Sequence, residues 1–274
     1  MQIPSTDGVL VSAYELAGPD DGQPLLISHA TGFHGYAYLP MAEALTPRFR
    51  SVAFDYRGHG DTAQPPSIGV DWRRYTDDVE AVALTLPAPL PAFGHSMGGA
   101  CLLMAAHRRP HLFSHLVIYE PVIFPPELMP DEGPSQLVSS TRRRRDTFDS
   151  YESALANFAA KPPLGAFTPA ALDAYVRHGF AEGDDGKIHL KCVPELEAMT
   201  YEMNRSHSTW HLLPEIDIPV LVLCGRPDPG TVAQFSRDVA ERLPNATYMQ
   251  LDDLDHFGPM TNPDRIAEIV ADTI

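Results

Sequence analysis

The segment Gly94-His95-Ser96-Met97-Gly98-Gly99 sets a serine among glycines. A short apolar run (Leu90, Ala92, Phe93) precedes it, and the small-residue apolar stretch Ala100-Cys101-Leu102-Leu103-Met104-Ala105-Ala106 follows, stopped by Arg108-Arg109-Pro110. The order is strand, abrupt turn, buried helix. A reversal this sharp forces its middle residue into a strained backbone conformation and needs small neighbours so that flanking backbones can approach. It leaves a hydroxyl projecting beside the amino end of a helix, where free N–H groups favour negative charge. Those are the requirements of a nucleophilic serine. The bare G-x-S-x-G pattern arises by chance in roughly one chain of this length in ten, and an ordinary N-cap serine at a glycine-rich helix start is the competing reading. The apolar run before it and the small-residue helix after it favour the nucleophile.

Such a turn has to be held by a sheet. Leu25-Leu26-Ile27-Ser28, Ser51-Val52-Ala53-Phe54, Leu116-Val117-Ile118-Tyr119 and Val220-Leu221-Val222-Leu223-Cys224 are continuous apolar runs, the pattern of strands buried on both faces. Helix-like stretches alternate with them, over residues 39–45, 72–86, 98–109 and 231–243, as in an open α/β sheet. Residues 9–16 and 246–251 read as flanking strands, the first in an amino-terminal hairpin. Pro89 and Pro91 fall in what should be a central strand, where proline removes a ladder donor, so that strand is expected to be short and to start near Leu90. From about Val122 to Pro214 the pattern changes. Proline-rich segments (Phe124-Pro125-Pro126, Lys161-Pro162-Pro163) separate amphipathic stretches at 151–160, 169–179 and 194–204, and strong strand-like runs stop. The expected organisation is a core of residues 1–121 and 215–274 with a helical cap over 122–214. An insertion at the carboxyl ends of parallel strands lies over the crevice where ligands bind, as a lid would.

Composition narrows the classes. The 274 residues suit one α/β domain with an insertion, and no apolar run approaches membrane-spanning length. The start, Met1-Gln2-Ile3-Pro4, lacks a basic, apolar leader, so a cytoplasmic location is expected. Cys101, Cys192 and Cys224 are far apart, odd in number and without C-x-x-C spacing, which argues for free thiols over a disulfide framework or zinc site. A formal charge of −16 speaks against nucleic-acid or anionic-membrane binding. His207 and His211 have i, i+4 spacing without the carboxylate of an H-E-x-x-H motif, and neither metal nor cofactor is expected. Arg142 to Arg145 read as a solvated helix face with local pairs to Asp146 and Asp149.

With these pieces placed, the chain resembles the α/β-hydrolase family over essentially its full length. Four motifs in order carry the resemblance: His29-Ala30-Thr31-Gly32 and Asp55-Tyr56-Arg57-Gly58-His59-Gly60 after successive strands, the serine turn, and Asp255-His256-Phe257 after the last strand. It implies a mostly parallel central sheet flanked by helices, the cap inserted between the strands at 116–119 and 220–224, and a Ser, acid, His order along the chain. Ser96 is then the nucleophile and His256 the base. Asp228, in Gly225-Arg226-Pro227-Asp228, is at the family's usual acid position. Glu120, after the strand at 116–119, is at a place that some hydrolases of this fold use instead. Asp252, Asp253 and Asp255 are near His256 in sequence, but neighbours on one loop rarely orient the ring. Asp228 is the expected acid. The oxyanion hole would take one N–H from Met97 and one from the loop after His29. The family commonly has His-Gly there and this chain has His29-Ala30, so Ala30, Thr31 and Gly32 all stand as donors, with Thr31 favoured. Gly32, His34, Tyr36, His95 and Phe257 are expected around the mouth, and Phe124, Phe158, Leu164, Phe167, Met199, Met203 and Trp210 as apolar cap residues facing substrate.

A serine, rather than a carboxylate, at this turn goes with acyl-enzyme chemistry. The expected function is hydrolysis of a small to medium, largely apolar carboxylic ester or lactone. C–C bond hydrolysis of a β-diketone-like compound and a non-catalytic ligand receptor on the same fold are the alternatives. A homodimer is neither required nor excluded.

Overall fold

The structure is a computed structural model describing residues 1–65, 69–128 and 136–274. Its main sheet holds β1 (Gln2–Pro4), β2 (Leu10–Ala17), β3 (Gln23–Ser28), β4 (Phe49–Phe54), β5 (Leu90–His95) and β6 (Phe113–Tyr119). Between the first three and the last come α1 (Leu39–Ala44), α2 (Trp72–Ala83) and α3 (Met97–Arg108). After β6 follow α4 (Gln136–Arg142), β7 (Thr147–Phe148), α5 (Tyr151–Ala159), α6 (Pro169–Gly179), β8 (Phe180–Glu182), β9 (Ile188–Leu190), α7 (Pro194–Glu202) and α8 (Thr209–Leu212). The main sheet resumes with β10 (Val220–Cys224), α9 (Ser236–Arg242) and β11 (Ala246–Gln250), and α10 (Gly258–Thr261) and α11 (Pro263–Thr273) close the chain.

The strand order is β1-β2-β4-β3-β5-β6-β10-β11, with β1 and β2 antiparallel to their neighbours and the other six parallel. The chain leaves β3 toward β4 and returns on the other side to β5, so the carboxyl ends of β3 and β5 form the topological switch point where α/β sheets bind ligands. Side chains of the inner strands alternate between two apolar clusters. Leu26, Leu116, Ile118, Val220 and Val222 pack with α2, α3 and α9. Leu25, Ile27, Val117, Tyr119, Leu221 and Leu223 pack with α1 and α11 on the opposite face. Burial on both faces is what the continuous apolar runs required.

Pro91 is accommodated by an irregularity. The β5–β6 register steps from Leu90↔Phe113 to Ala92↔Leu116, skipping the residue that cannot donate. The expected helix over 231–243 is instead a 3-10 turn, Val232–Phe235, followed by α9. Between β6 and β10 the amphipathic stretches do form helices, started by caps their sequences supply. The Ser150 and Ser153 side chains form a reciprocal capping box on α5, and Thr168 caps α6 with Pro169 at its first position. The segment also builds a three-stranded antiparallel sheet, order β7-β9-β8, which the sequence did not announce, since strands of two or three residues carry no readable period.

The arginine run departs from its expected form. α4 ends at Arg142, which pairs with Glu195 and Glu202 on α7. Arg144 is turned inward onto Glu197 at 2.5 Å and Tyr175 Oη at 2.9 Å, and Arg145 lies over the Phe148 ring. The run ties α4 to α7 and α6; Arg142, Arg143 and Arg145 are exposed as expected, but the ion pairs go to Glu195, Glu197 and Glu202, distant in sequence, and not to Asp146 and Asp149. The three cysteines are buried free thiols. Among the described residues no helix is long and apolar enough to cross a membrane.

Candidate active site

Ser96 follows β5 as the N-cap of α3, with φ 57° and ψ −116°. A left-handed serine is strained by about 1–3 kcal/mol, and such strain persists only where the surroundings over-determine it. Here Ser96 N–H donates to Tyr119 O at 2.9 Å, and Ser96 O accepts from Ala100 and Val122. The neighbouring glycine is a steric necessity: a Cβ on Gly98 would lie 2.2 Å from Ser28 O. Only the bare backbone lets α3 start this close to the end of β3.

The hydroxyl meets His256. Ser96 Oγ lies 3.2 Å from His256 Nε2, and His256 Nδ1 lies 2.7 Å from Glu120 Oε2. The carboxylate can only accept, so Nδ1 carries the proton and Nε2 is the basic nitrogen facing the serine. Glu120 is fully buried; its other oxygen, Oε1, accepts from Gly225 N–H at 2.8 Å. Its backbone is also left-handed, with φ 45°. Ser96 and Glu120, two of the three positive-φ non-glycine residues among those described, stand at the carboxyl ends of adjacent strands, and the register places His95 opposite Tyr119, immediately before them.

This corrects the expectation for Asp228. Its carboxylate pairs with Arg226 and is half exposed, on a loop four residues past the end of β10. β6 is hydrogen-bonded directly to the serine's strand, while β10 is one strand farther away. The left-handed turn at Glu120 aims its carboxylate at the histidine ring.

The loop after β3 is shaped as a turn closed by Phe33 N–H on Ala30 O, with Gly32 at φ +76°. His29 is fully buried beneath it. His29 Nδ1 bonds Ala30 O at 2.8 Å and Nε2 accepts from Tyr56 N–H at 3.0 Å, so the ring is neutral, and burial holds its pKa well below the ordinary range. Ala30 gives its N–H to Tyr38 Oη at 3.1 Å. That removes Ala30 from the three oxyanion candidates and leaves Thr31, which lines the cavity, as the favoured one. Met97 is at the first position of α3, where its N–H has no partner within the helix.

A cavity of about 260 Å³ opens above Ser96 and His256, walled by Thr31, Phe33, Trp72, Val122, Tyr201 and Phe257 among others. Of the residues expected around it, Phe257 is in place, and five are not. Gly32 packs beneath the Glu197 carboxylate. His34 is buried and donates Nε2–H to Tyr175 O at 3.0 Å. His95 is fully buried behind the site. Phe124 and Trp210 line a separate cavity of about 400 Å³ that shares Asn204 with the first. Cap aromatics such as Phe158 and Phe167 are spent on packing against Tyr175, Phe148 and Phe33. Trp72, Tyr201 and Asn204 were not expected at the site. Trp72 reads in sequence as an ordinary helix start, and it comes to the cavity through its indole N–H bond to Thr200 O on α7.

Comparison with known proteins identifies the family. The model of the alpha/beta hydrolase family matches residues 25–269. The chain is similar to a non-heme chloroperoxidase of Streptomyces lividans, 27% identical over 96% of this chain and 95% of the relative. It is also similar to a pimeloyl-[acyl-carrier protein] methyl ester esterase of Methylococcus capsulatus, 26% identical over 92% and 95%. Among solved structures, a thermophilic esterase from Thermogutta terrifontis shares the fold with a TM-score of 0.72 and 19% identity, covering 99% of this chain and 96% of that one. With the family model matching nearly all of its length, the chain belongs to the alpha/beta hydrolase family.

Proposed function

We propose that the protein is a serine hydrolase that cleaves a small, largely uncharged carboxylic ester or lactone through an acyl-enzyme on Ser96. The observation that carries this reading is the continuous set Ser96 Oγ, His256 Nε2, His256 Nδ1 and Glu120 Oε2, at 3.2 and 2.7 Å. His256 takes the Ser96 proton as Oγ attacks the substrate carbonyl, and the buried Glu120 carboxylate stabilises the imidazolium that results. The N–H groups of Met97 and Thr31 receive the developing oxyanion. As the tetrahedral intermediate collapses, His256 returns the proton to the leaving oxygen. A water, deprotonated by the same ring, then attacks the acyl carbonyl and releases the acid and free Ser96.

The walls support the substrate class. Apart from His256, the described residues lining the cavity carry no formal charge, so among them a charged acyl group would lose hydration without gaining a partner. The volume is at the small end of ligand sites. The similarity to a methyl ester esterase of Methylococcus capsulatus also favours C–O cleavage. The test is labelling with a fluorophosphonate probe, with Ser96→Ala as control, followed by turnover of p-nitrophenyl esters of increasing acyl length. Labelling confined to Ser96, with turnover best for short acyl chains, is expected. Labelling without turnover of any ester or lactone would overturn the esterase assignment.

A further inference from the structure

Behind the cavity, a line of hydrogen bonds joins the loop that carries the oxyanion donor to the loop that carries the base. Ala30 N–H donates to Tyr38 Oη at 3.1 Å, Tyr38 Oη and His95 Nδ1 are 2.8 Å apart, and His95 Nε2 is 2.8 Å from His256 O. Every direction is forced. A carbonyl only accepts, so His95 carries its proton on Nε2, and its bare Nδ1 must accept from the tyrosine. The tyrosine oxygen, having given its proton to His95, is left to accept from the Ala30 amide. Tyr38 and His95 are both fully buried, so no water can substitute for a missing member. His95 is also the residue before Ser96, which makes the line a brace among three parts of the site.

We propose that Tyr38 and His95 are positioning residues that fix the His256 loop and the Thr31 loop at one separation across Ser96. Neither touches substrate; they act through the backbone of Ala30 and of His256. This rests on the serine-hydrolase reading above. A protonated His95 would place a hydrogen on Nδ1 against the tyrosine's own, so the brace requires a neutral ring. Burial supplies that condition, holding the His95 pKa well below the ordinary value, with His256 the next contributor. The sequence singled out His95 as a neighbour of the nucleophile and a residue of the substrate mouth, not as a brace, and nothing in the run Tyr36-Ala37-Tyr38 marked the second tyrosine.

The experiment uses the full-length protein, a fluorophosphonate probe and p-nitrophenyl acetate. Tyr38→Phe keeps the ring and deletes both bonds of its hydroxyl. His95→Gln can still accept from Tyr38 and donate to His256 O, whereas His95→Leu can do neither. The expected result is that Tyr38→Phe and His95→Leu lower kcat and the labelling rate by about tenfold to a hundredfold, the scale of a small misplacement of reacting groups. KM should stay within about twofold, and His95→Gln should recover most of the loss. Nitrogen-15 NMR of the wild-type ring should show the Nε2–H tautomer without titration from pH 8 to 5.5. Equal labelling of wild type and a folded Tyr38→Phe, a loss confined to KM, failure of His95→Gln to outperform His95→Leu, or a titrating His95 would each overturn the brace. If Tyr38→Phe does not fold, the glutamine–leucine comparison and the tautomer decide alone. Absence of labelling in the wild-type protein would instead overturn the serine-hydrolase reading itself.

Discussion

Glu120 Oε2 lies 2.7 Å from His256 Nδ1, while Glu120 Oε1 accepts the Gly225 N–H at 2.8 Å. The second contact keeps the first aimed. It ties the carboxylate to the residue that follows β10, so the acid from one strand end is held by the backbone of the next. Asp228, on the same loop as Gly225, is left to an exposed pair with Arg226.

The first prediction follows from that division. Glu120→Gln keeps the side-chain shape but removes the charge that stabilises the imidazolium and selects the ring tautomer. It should lower kcat by about a thousandfold to ten-thousandfold with little change in KM. Asp228→Asn removes one partner of an exposed pair and should leave kcat within about twofold, since such pairs contribute little. Steady-state kinetics of the two variants on one p-nitrophenyl ester decides, and the opposite ranking would return the acid to Asp228.

How much of this was legible follows the range of the signals. The inner strands were readable because burial on both faces leaves continuous apolar runs, and β10 was found residue for residue at Val220–Cys224. Ser96 and His256 were readable because each is tied to a local motif. The choice of acid was not, because Glu120 and Asp228 both follow apolar strands, and what separates them is a left-handed φ and a strand adjacency that no local pattern encodes. The cavity walls were least legible. His34 and Gly32 are near the nucleophile in space but spend their surfaces on α6 and α7, whereas Trp72 and Tyr201 reach the site only through contacts between segments more than a hundred residues apart.

A second prediction concerns Gly98. The Cβ of Gly98→Ala would sit 2.2 Å from Ser28 O, a backbone atom of a central strand that cannot swing aside. Overpacking of this kind costs about 1–3 kcal/mol, and relief by tilting α3 would displace the Met97 N–H. Thermal melting should show a drop of several degrees, and the residual folded fraction should label more slowly with fluorophosphonate. An unchanged Tm with full labelling would refute the close-approach argument.

The segment between β6 and β10 and the loop after β3 meet at a largely buried ion pair. Glu197, nearly inaccessible, takes the Arg144 guanidinium at 2.5 Å and roofs Gly32, whose added Cβ would fall 2.4 Å from Glu197 Oε1. Glu197→Ala would leave the Arg144 charge with Tyr175 Oη alone and uncover the turn. Breaking one half of a buried pair costs on the order of 3 kcal/mol, so urea unfolding should show that loss, and kcat should fall because Thr31 is on the turn that loses its roof. Glu197→Gln, which keeps the roof, should recover kcat more fully than stability. Equal recovery of both would mean that the charge and the roof are not separable.

Acid should weaken the fold before the ordinary carboxylates titrate. His34 and His59 are buried and held neutral, with pKa values lowered from 6.5 to about 3 and about 4, in both cases chiefly by burial. His34 Nδ1 and His59 Nε2, the nitrogens that would take the proton, have no hydrogen-bond partner among the described residues. The unfolded chain binds these protons near pH 6.5 and the folded chain does not, so stability is complete above 6.5 and declines as pH falls toward the folded values. At pH 5.5 each group is one unit below its unfolded pKa and costs about 1.4 kcal/mol, or about 3 kcal/mol for the two. His29, His95 and His207, buried and lowered in the same direction, add to this loss, so urea midpoints measured from pH 7.5 to 5.5 should fall by at least about 1 M. Asp61, Asp71, Glu195 and Glu202, whose pKa values are lowered by their basic partners, add their own loss as pH drops further, through the ordinary carboxylate range and below it. A midpoint that holds steady down to pH 5.5 would mean that the two imidazoles accept protons in the folded state, and that the buried sites assigned to them are wrong.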